Sequence, residues 1–544
     1  MKTSIKKLLT FPLSLSAFIC VHLWLILLTS CGSKPTDLRS LIPADSLVYL
    51  ETNDLGKALR AVTENEAFKA AAKTQPDFSA LTGMKLAVAV TGFETKEEQV
   101  TDENSVLNFK PRFVAVVETN AWNYQALSFI EDKLGEFINE TYGGEVTLET
   151  SDKNGGKYFV WNAQDGRKAF ALVRGSLIFF GNDESAIDKC LAVIRGEAES
   201  IAKNAKIAAL SADSLASGYV SKEGIAQISN IVGLKFAREA GEESEVQSAI
   251  AGILPQLLRN SITEISWAAT KGENGIEDKY TVSMPSDIAN VFSETMRPSG
   301  DLNAQQESNE QTLAQLPISI DGATRYNFKD PEVAWRSILS FVAGHLDGSS
   351  GKFVAALGGA LFEQYGIHDA EMFLRSVGNG SDKSRNIFTA KSGNEFEGTF
   401  VLAMSGDTGL IRKSFIPEMK PDWQGEDGYY GMKTTDGDLT ARFAEGLVIL
   451  GPTDQFGKLT NAYHGKPNDF VGGLLKSSAS IITIEHDNTT TLSLIEVLAH
   501  EGHGDTKVAT YYTETRFTGT GIERRTVSDF GLVGSIIAQF GKDN

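Results

Sequence analysis

Apolar and polar positions alternate with period two along some stretches of the chain and recur at i, i+3 and i+4 along others, so strands and helices are interleaved. Lys85-Leu-Ala-Val-Ala-Val-Thr91 and Phe113-Val-Ala-Val-Val117 are apolar nearly throughout, which predicts strands covered on both faces and central in a sheet. Ile225 to Val232 and Ile250 to Leu258 carry the helical spacing and are expected to cover one face of that sheet. Asp165-Gly166, set between alternating stretches, predicts a two-residue hairpin turn, because Gly accepts the positive φ that such a turn needs. The continuation through Gly175 to Gly181 predicts a three-stranded meander leading into a helix.

The meander recurs. Tyr158 to Asp165-Gly166 and on to Gly175-Ser-Leu-Ile-Phe-Phe-Gly181 is matched by Tyr429 to Asp436-Gly437 and on to Gly446-Leu-Val-Ile-Leu-Gly451, with the same intervals of seven and ten residues between Tyr, Asp and Gly. Asp45 to Arg60 aligns without a gap on Asp321 to Arg336, and both segments read as strand, Asp cap and helix. Gly275-Ile-Glu-Asp-Lys-Tyr-Thr-Val-Ser283 returns one residue shorter as Gly521-Ile-Glu-Arg-Arg-Thr-Val-Ser528, each the second strand of a hairpin. Arg112 to Glu118 pairs more loosely with Thr399 to Ser405. Four matches in one order predict an internal duplication. The expected fold class is therefore α+β: two homologous domains, residues 40–298 and 315–544, each a largely antiparallel sheet covered by helices, joined by a polar linker over 299–314.

The amino terminus carries Lys2, Lys6 and Lys7 without an acidic residue, then an apolar run ending in Leu23-Trp-Leu-Ile-Leu-Leu28. These are the charged and apolar regions of an export signal, and Pro12, Ser14, Ser16 and His22 interrupt the run that a permanent span would need. Leu28-Thr29-Ser30-Cys31 resembles the lipobox of bacterial lipoproteins. The resemblance implies cleavage after residue 30, lipidation of Cys31 on sulfur, a short tether over residues 31–39 and a body held at the membrane by its acyl chains. Gly32 differs from the Asp that retains many lipoproteins in the inner membrane, so outer-membrane sorting, facing the periplasm, is favoured where the host has such a membrane. The body opens with Pro43-Ala-Asp-Ser-Leu-Val-Tyr49 and an amphipathic helix, and in this it is similar to a broad set of exported bacterial proteins whose domain has no assigned function. That resemblance implies no catalytic residues.

Charge narrows the partners. Among 544 residues, 51 Lys and Arg stand against 70 Asp and Glu, and the net charge of −19 repels phosphate backbones, which excludes nucleic acid as a natural partner. Loss of the three signal lysines makes the mature body more acidic still. Of three cysteines, Cys20 falls in the signal and Cys31 takes lipid, so Cys190 stands alone; Ile187, Leu191 and Ile194 share its helical face, which marks it as a core residue. His500-Glu-Gly-His503, with His486 upstream, is the best metal-like cluster. A zinc protease requires His-Glu-x-x-His on a helix, whereas here the second His comes one residue early and glycines follow each His. A helix from about Leu492 to His500 closed by a Gly cap accounts for the same residues. Gly348-Ser-Ser-Gly-Lys-Phe353 lacks the first Gly and the final Ser or Thr of a phosphate loop, and Phe353 to Phe362 is too short to span a bilayer. The expectation is a non-catalytic, lipid-anchored envelope protein without cofactor, binding or scaffolding another envelope component. The alternatives are an apolar-ligand carrier and a metal-dependent hydrolase using His486, His500 and His503.

Overall fold

The computed structural model describes residues 36–99, 105–119, 123–144, 146–239, 244–273, 275–299, 306–315, 320–344, 362–363, 365–377, 385–392, 399–404, 407–421, 429–433, 438–444, 446–453, 469–487, 489–499 and 509–539. Helices and strands are mixed, and the strands form a large antiparallel sheet. In the first half the strands are β1 (Val48–Thr52), β2 (Lys85–Gln99), β3 (Ser105–Glu118), β4 (Thr147–Lys153), β5 (Gly156–Asn162), β6 (Lys168–Arg174), β7 (Leu177–Gly181), β8 (Ala216–Val220), β9 (Glu264–Gly272) and β10 (Gly275–Ser283). In the second they are β11 (Ile320–Asn327), β12 (Asn386–Ser392), β13 (Thr399–Met404), β14 (Lys420–Pro421), β15 (Tyr429–Met432), β16 (Leu439–Ala444), β17 (Leu447–Pro452), β18 (Ile481–Asp487), β19 (Ala509–Thr518) and β20 (Gly521–Ser528).

Side by side, the first half runs β4-β5-β6-β7-β3-β2-β1-β8-β9-β10. The second runs β14-β15-β16-β17-β13-β12-β11-β18-β19-β20, the same order with every number raised by ten. The apolar strands β2 and β3 lie centrally, as their composition requires. Both first helices start where expected: the Asp54 carboxylate accepts from the Lys57 amide at 2.8 Å, and that of Asp330 from the Val333 amide at 3.1 Å.

The turns divide the work differently from expectation. Asp165-Gly166 lies in a three-residue loop: Ala163 and Arg167 bond across it at 2.9 Å, and Gly166, at φ +85°, takes the left-handed position that follows a type I turn. The two-residue turn falls one hairpin later, at Gly175-Ser176, where Arg174 faces Leu177. The polar stretch 299–314 is also more than a tether. Gln306–Leu313 is helical, and Ser299, Asn309 and Thr312 are buried; the Asn327 side chain accepts from the Ser299 hydroxyl and the Asn386 amide donates to Asn309.

The two halves meet edge to edge. β10 pairs antiparallel with β20 from Ile276 opposite Ser528 to Ser283 opposite Gly521, which puts Lys279 opposite Arg525 in the middle of the seam. Helices lock the seam from one face. Ser286–Thr295, which follows β10, packs Phe292 edge-on against Phe341 of Pro331–Gly344 at 5.1 Å between ring centres. Gly531–Gln539, which follows β20, joins Phe530 and Ala538 to Leu59, Val62 and Phe68 of the first half. Each half thus sends its last helix into the core of the other. Removing water from apolar surface contributes roughly 25 cal/mol per Å², so these shared cores hold the seam more firmly than its backbone bonds alone.

Candidate functional site

Residues directly opposite on neighbouring strands share a face of the sheet. One such row crosses the seam: Glu51, Ser217, Ala268, Lys279, Arg525, Glu514, Ile482, Arg325. It places a buried charge near each end and an exposed group of charges in the middle.

At the first end the turn Leu38–Leu41, which precedes β1, brings Arg39 over Glu51. Arg39 Nε donates to both carboxylate oxygens at 3.0 Å, and its Nη2 bonds Oε1 as well. Tyr49 Oη donates at 2.7 Å and Ser217 Oγ at 2.8 Å. Burial alone pushes the Glu51 carboxyl up, but the donations from Arg39, Tyr49 and Ser217 outweigh it and hold the group below its ordinary value. The charge is buried, paired and satisfied on both oxygens.

At the other end Arg325 is fully buried on β11. Its Nη2 donates to the carbonyls of Ser477 and, at 3.4 Å, Ala479, while Nε and Nη1 meet no hydrogen-bond partner. Burial lowers the guanidinium to about 10, against the raising influence of Tyr512 and Glu514. Two residues on and on the same face, Asn327 is likewise fully buried; its Oδ1 accepts from Ser299 Oγ and its Nδ2 meets no partner. The Asn386 amide beside it on β12 donates to Asn309 Oδ1 at 3.0 Å.

Between these ends, the seam shows solvent a closed set of ion pairs. Arg525 reaches Glu277 at 2.6 Å across the seam and Glu514 at 3.9 Å along its own half; Lys279 reaches Glu277 at 3.0 Å. Glu514 also accepts from Tyr512 at 2.9 Å and pairs with Arg516 at 3.5 Å. Lys279 is 65% exposed, and Arg516 and Arg525 are about half in water, so this surface can recognise charge. On the opposite face Asp278 is buried: Oδ1 accepts from Trp267 Nε1 and Oδ2 from the Leu532 amide, both at 2.8 Å. The first half thereby caps the last helix of the second. Burial raises the Asp278 carboxyl, only partly opposed by those two donors.

The residues singled out from sequence fall elsewhere. His486 lies on β18, stacked on Phe470 with ring centres 4.0 Å apart, its Nδ1 3.2 Å from Thr510 Oγ1. Burial holds its imidazole below the ordinary value, against the raising influence of Asp321 and of a backbone hydrogen bond to Ala509. Cys31, His500 and His503 lie outside the described residues, as do Gly348 to Phe353. The helix expected before His500 is present as Thr489–Ala499. Among the described residues no group of three or more His, Cys, Asp or Glu could hold a metal, and no helix is long and apolar enough to cross a membrane. Cys190 is buried on Glu184–Ile194 with its thiol pushed up to about 12, mainly by burial. The seam and the two buried polar nests were not singled out from sequence. A signal for the second nest existed: Ala323, Arg325 and Asn327 have inward parity, so a strand with one buried face had to bury an arginine.

Comparison with protein-family profiles, with curated proteins and with solved structures finds no significant match.

Proposed function

We propose that this chain is a lipid-anchored protein of the cell envelope, without catalytic activity of its own, that presents a binding or scaffolding surface to another envelope component. One observation carries the reading: lysines, apolar run, small residues and Cys31 stand in the order that lipoprotein maturation uses. The anchor sits at Cys31, and the body faces the periplasm from the outer membrane where the host has one. Residues 40–298 and 315–544 are proposed as homologous domains, a reading supported by the repeated strand order and by the matched Asp54 and Asp330 caps. The exposed ion pairs around Lys279 and Arg525 support a binding role, because a charged sheet face discriminates partners by electrostatic complementarity. Growth with a fatty-acid analogue tests the anchor. The wild-type chain should take up label and fractionate with membranes, and Cys31→Ala should lose both and remain uncleaved. Wild-type protein that stays soluble and unlabelled would overturn the proposal.

A further inference from the structure

Thr36, where the described chain begins, is already fixed to the sheet: its amide donates to Glu118 Oε1 at 2.9 Å, its carbonyl accepts from Lys85 Nζ at 2.8 Å, and Lys85 pairs with Glu118 at 2.9 Å. Lys85 opens β2 and Glu118 closes β3, so Thr36 marks one end of the first-half sheet. The turn Gly175-Ser176 stands at the same end, because the Thr119 amide donates to the Ser176 carbonyl at 2.9 Å. From this rim β2 runs 15 residues, about 45–50 Å, with β3 beside it. β1 accompanies β2 only as far as Val90, and β7 accompanies β3 only from Val114. The pairs from Gly92 opposite Arg112 to Gln99 opposite Ser105 therefore form an arm that no other described strand joins, at the end away from Thr36.

Only five residues, Cys31 to Pro35, separate Thr36 from the lipid proposed at Cys31, and five residues extend at most about 18 Å. The rim is thus the part of the body on the shortest leash. Tyr124, 67% exposed and the most exposed large apolar side chain among the described residues, lies close by. It follows Thr119 by five residues, and Ala126 in the same helix, Asn123–Ser128, joins the core of Val117, Val173 and Ile178 next to this end of β3, β6 and β7. A tyrosine suits the headgroup layer, where its ring meets the acyl boundary and its hydroxyl stays in water. The net charge of −19 meanwhile keeps the rest of the body off an anionic surface. We infer that the Thr36 end of the first-half sheet, with Tyr124, is the surface that rests on the lipid headgroups, and that the β2–β3 arm is held out from the membrane. The inference rests on the lipid anchor and adds to it the face on which the body stands.

The test uses the acylated mature chain on vesicles of phosphatidylcholine and phosphatidylglycerol, with a nitroxide on a fraction of the headgroups. Cys190 is buried, so a thiol-reactive fluorophore goes to an introduced cysteine. Asn123→Cys and Glu94→Cys place it at two exposed positions, the first beside Tyr124 and the second at the base of the arm, about 30 Å along β2 from Lys85. With that separation, nitroxide quenching should be at least about threefold stronger at position 123 than at position 94. Equal or reversed quenching in protein that is acylated and bound to vesicles would overturn the inference and leave the anchor standing. A chain that takes up no fatty-acid analogue would overturn the anchor and the inference together.

Discussion

Glu51 and Arg325 are both charges buried on one face of the same sheet, but their surroundings differ in how completely the charge is met. Around Glu51, three side chains converge, and their donations more than repay the desolvation of the carboxylate. Around Arg325, two carbonyls take one terminal nitrogen and the rest of the fork is left over. A repeated strand order therefore fixes which face a polar residue takes without fixing whether its chemistry is complete. The first nest can serve purely to register β1 against β8 and the turn above them. The second leaves two nitrogens of the guanidinium unmet.

The difference can be broken most forcefully at Glu51. Glu51→Leu leaves Arg39, Tyr49 and Ser217 without their acceptor, and urea unfolding should show a loss of about 3–5 kcal/mol, the usual cost of stranding a buried charge. The same experiment on Arg325→Met should move the other way, by about 1 kcal/mol, because an apolar side chain of similar length removes a charge that is poorly met. If Arg325→Met instead cost as much as Glu51→Leu, the two nests would be equally satisfied and the contrast would fail.

Asp278 sharpens the contrast through pH. Its carboxyl is raised above the ordinary 3.8, so its contribution to stability is complete below that value and is lost as pH rises through the raised one. Glu51 is held below its ordinary 4.5 and behaves oppositely, contributing above that value and losing its contribution as pH falls through the depressed one. Asp278→Asn should therefore flatten the decline of the urea midpoint as pH rises from about 4 toward neutrality. An unchanged profile would mean that Asp278 ionises as freely as it does in water.

Much of this arrangement was legible in the residues, and the parts that were not share a cause. Central strands, Asp-capped helices and the meanders announce themselves locally, through composition, caps and Gly at positive φ. The matched segments Asp45 to Arg60 and Asp321 to Arg336 fall on β1 and β11, which hold like places in the two strand orders. The pairing of β10 with β20 left no local trace, since both strands carry the signals of an ordinary hairpin arm and their contact depends on a distant partner. The helix Gln306–Leu313 looked like solvated linker because its polar residues give no local sign that one of them, Asn309, is buried and bonded to Asn386. The Asp165-Gly166 loop gained a residue because the pair also suits a type I turn followed by a left-handed glycine. Arg325 was visible as a letter in a strand, but its lack of partners is a property of three dimensions.

The seam also sets a schedule. A chain that emerges amino terminus first completes β10 at Ser283, yet β20 ends about 245 residues later, an interval of roughly 12–50 s at ordinary rates of synthesis. Throughout that wait β10 is an open edge of unpaired backbone, and the core around Leu59, Val62 and Phe68 lacks the helices that close it. Asp278 has no Leu532 amide to receive. The first half is thus a standing invitation to the β20 edge of a neighbouring copy, and the quickest route to a tangled pair of molecules is a premature stop between the two arms of the seam.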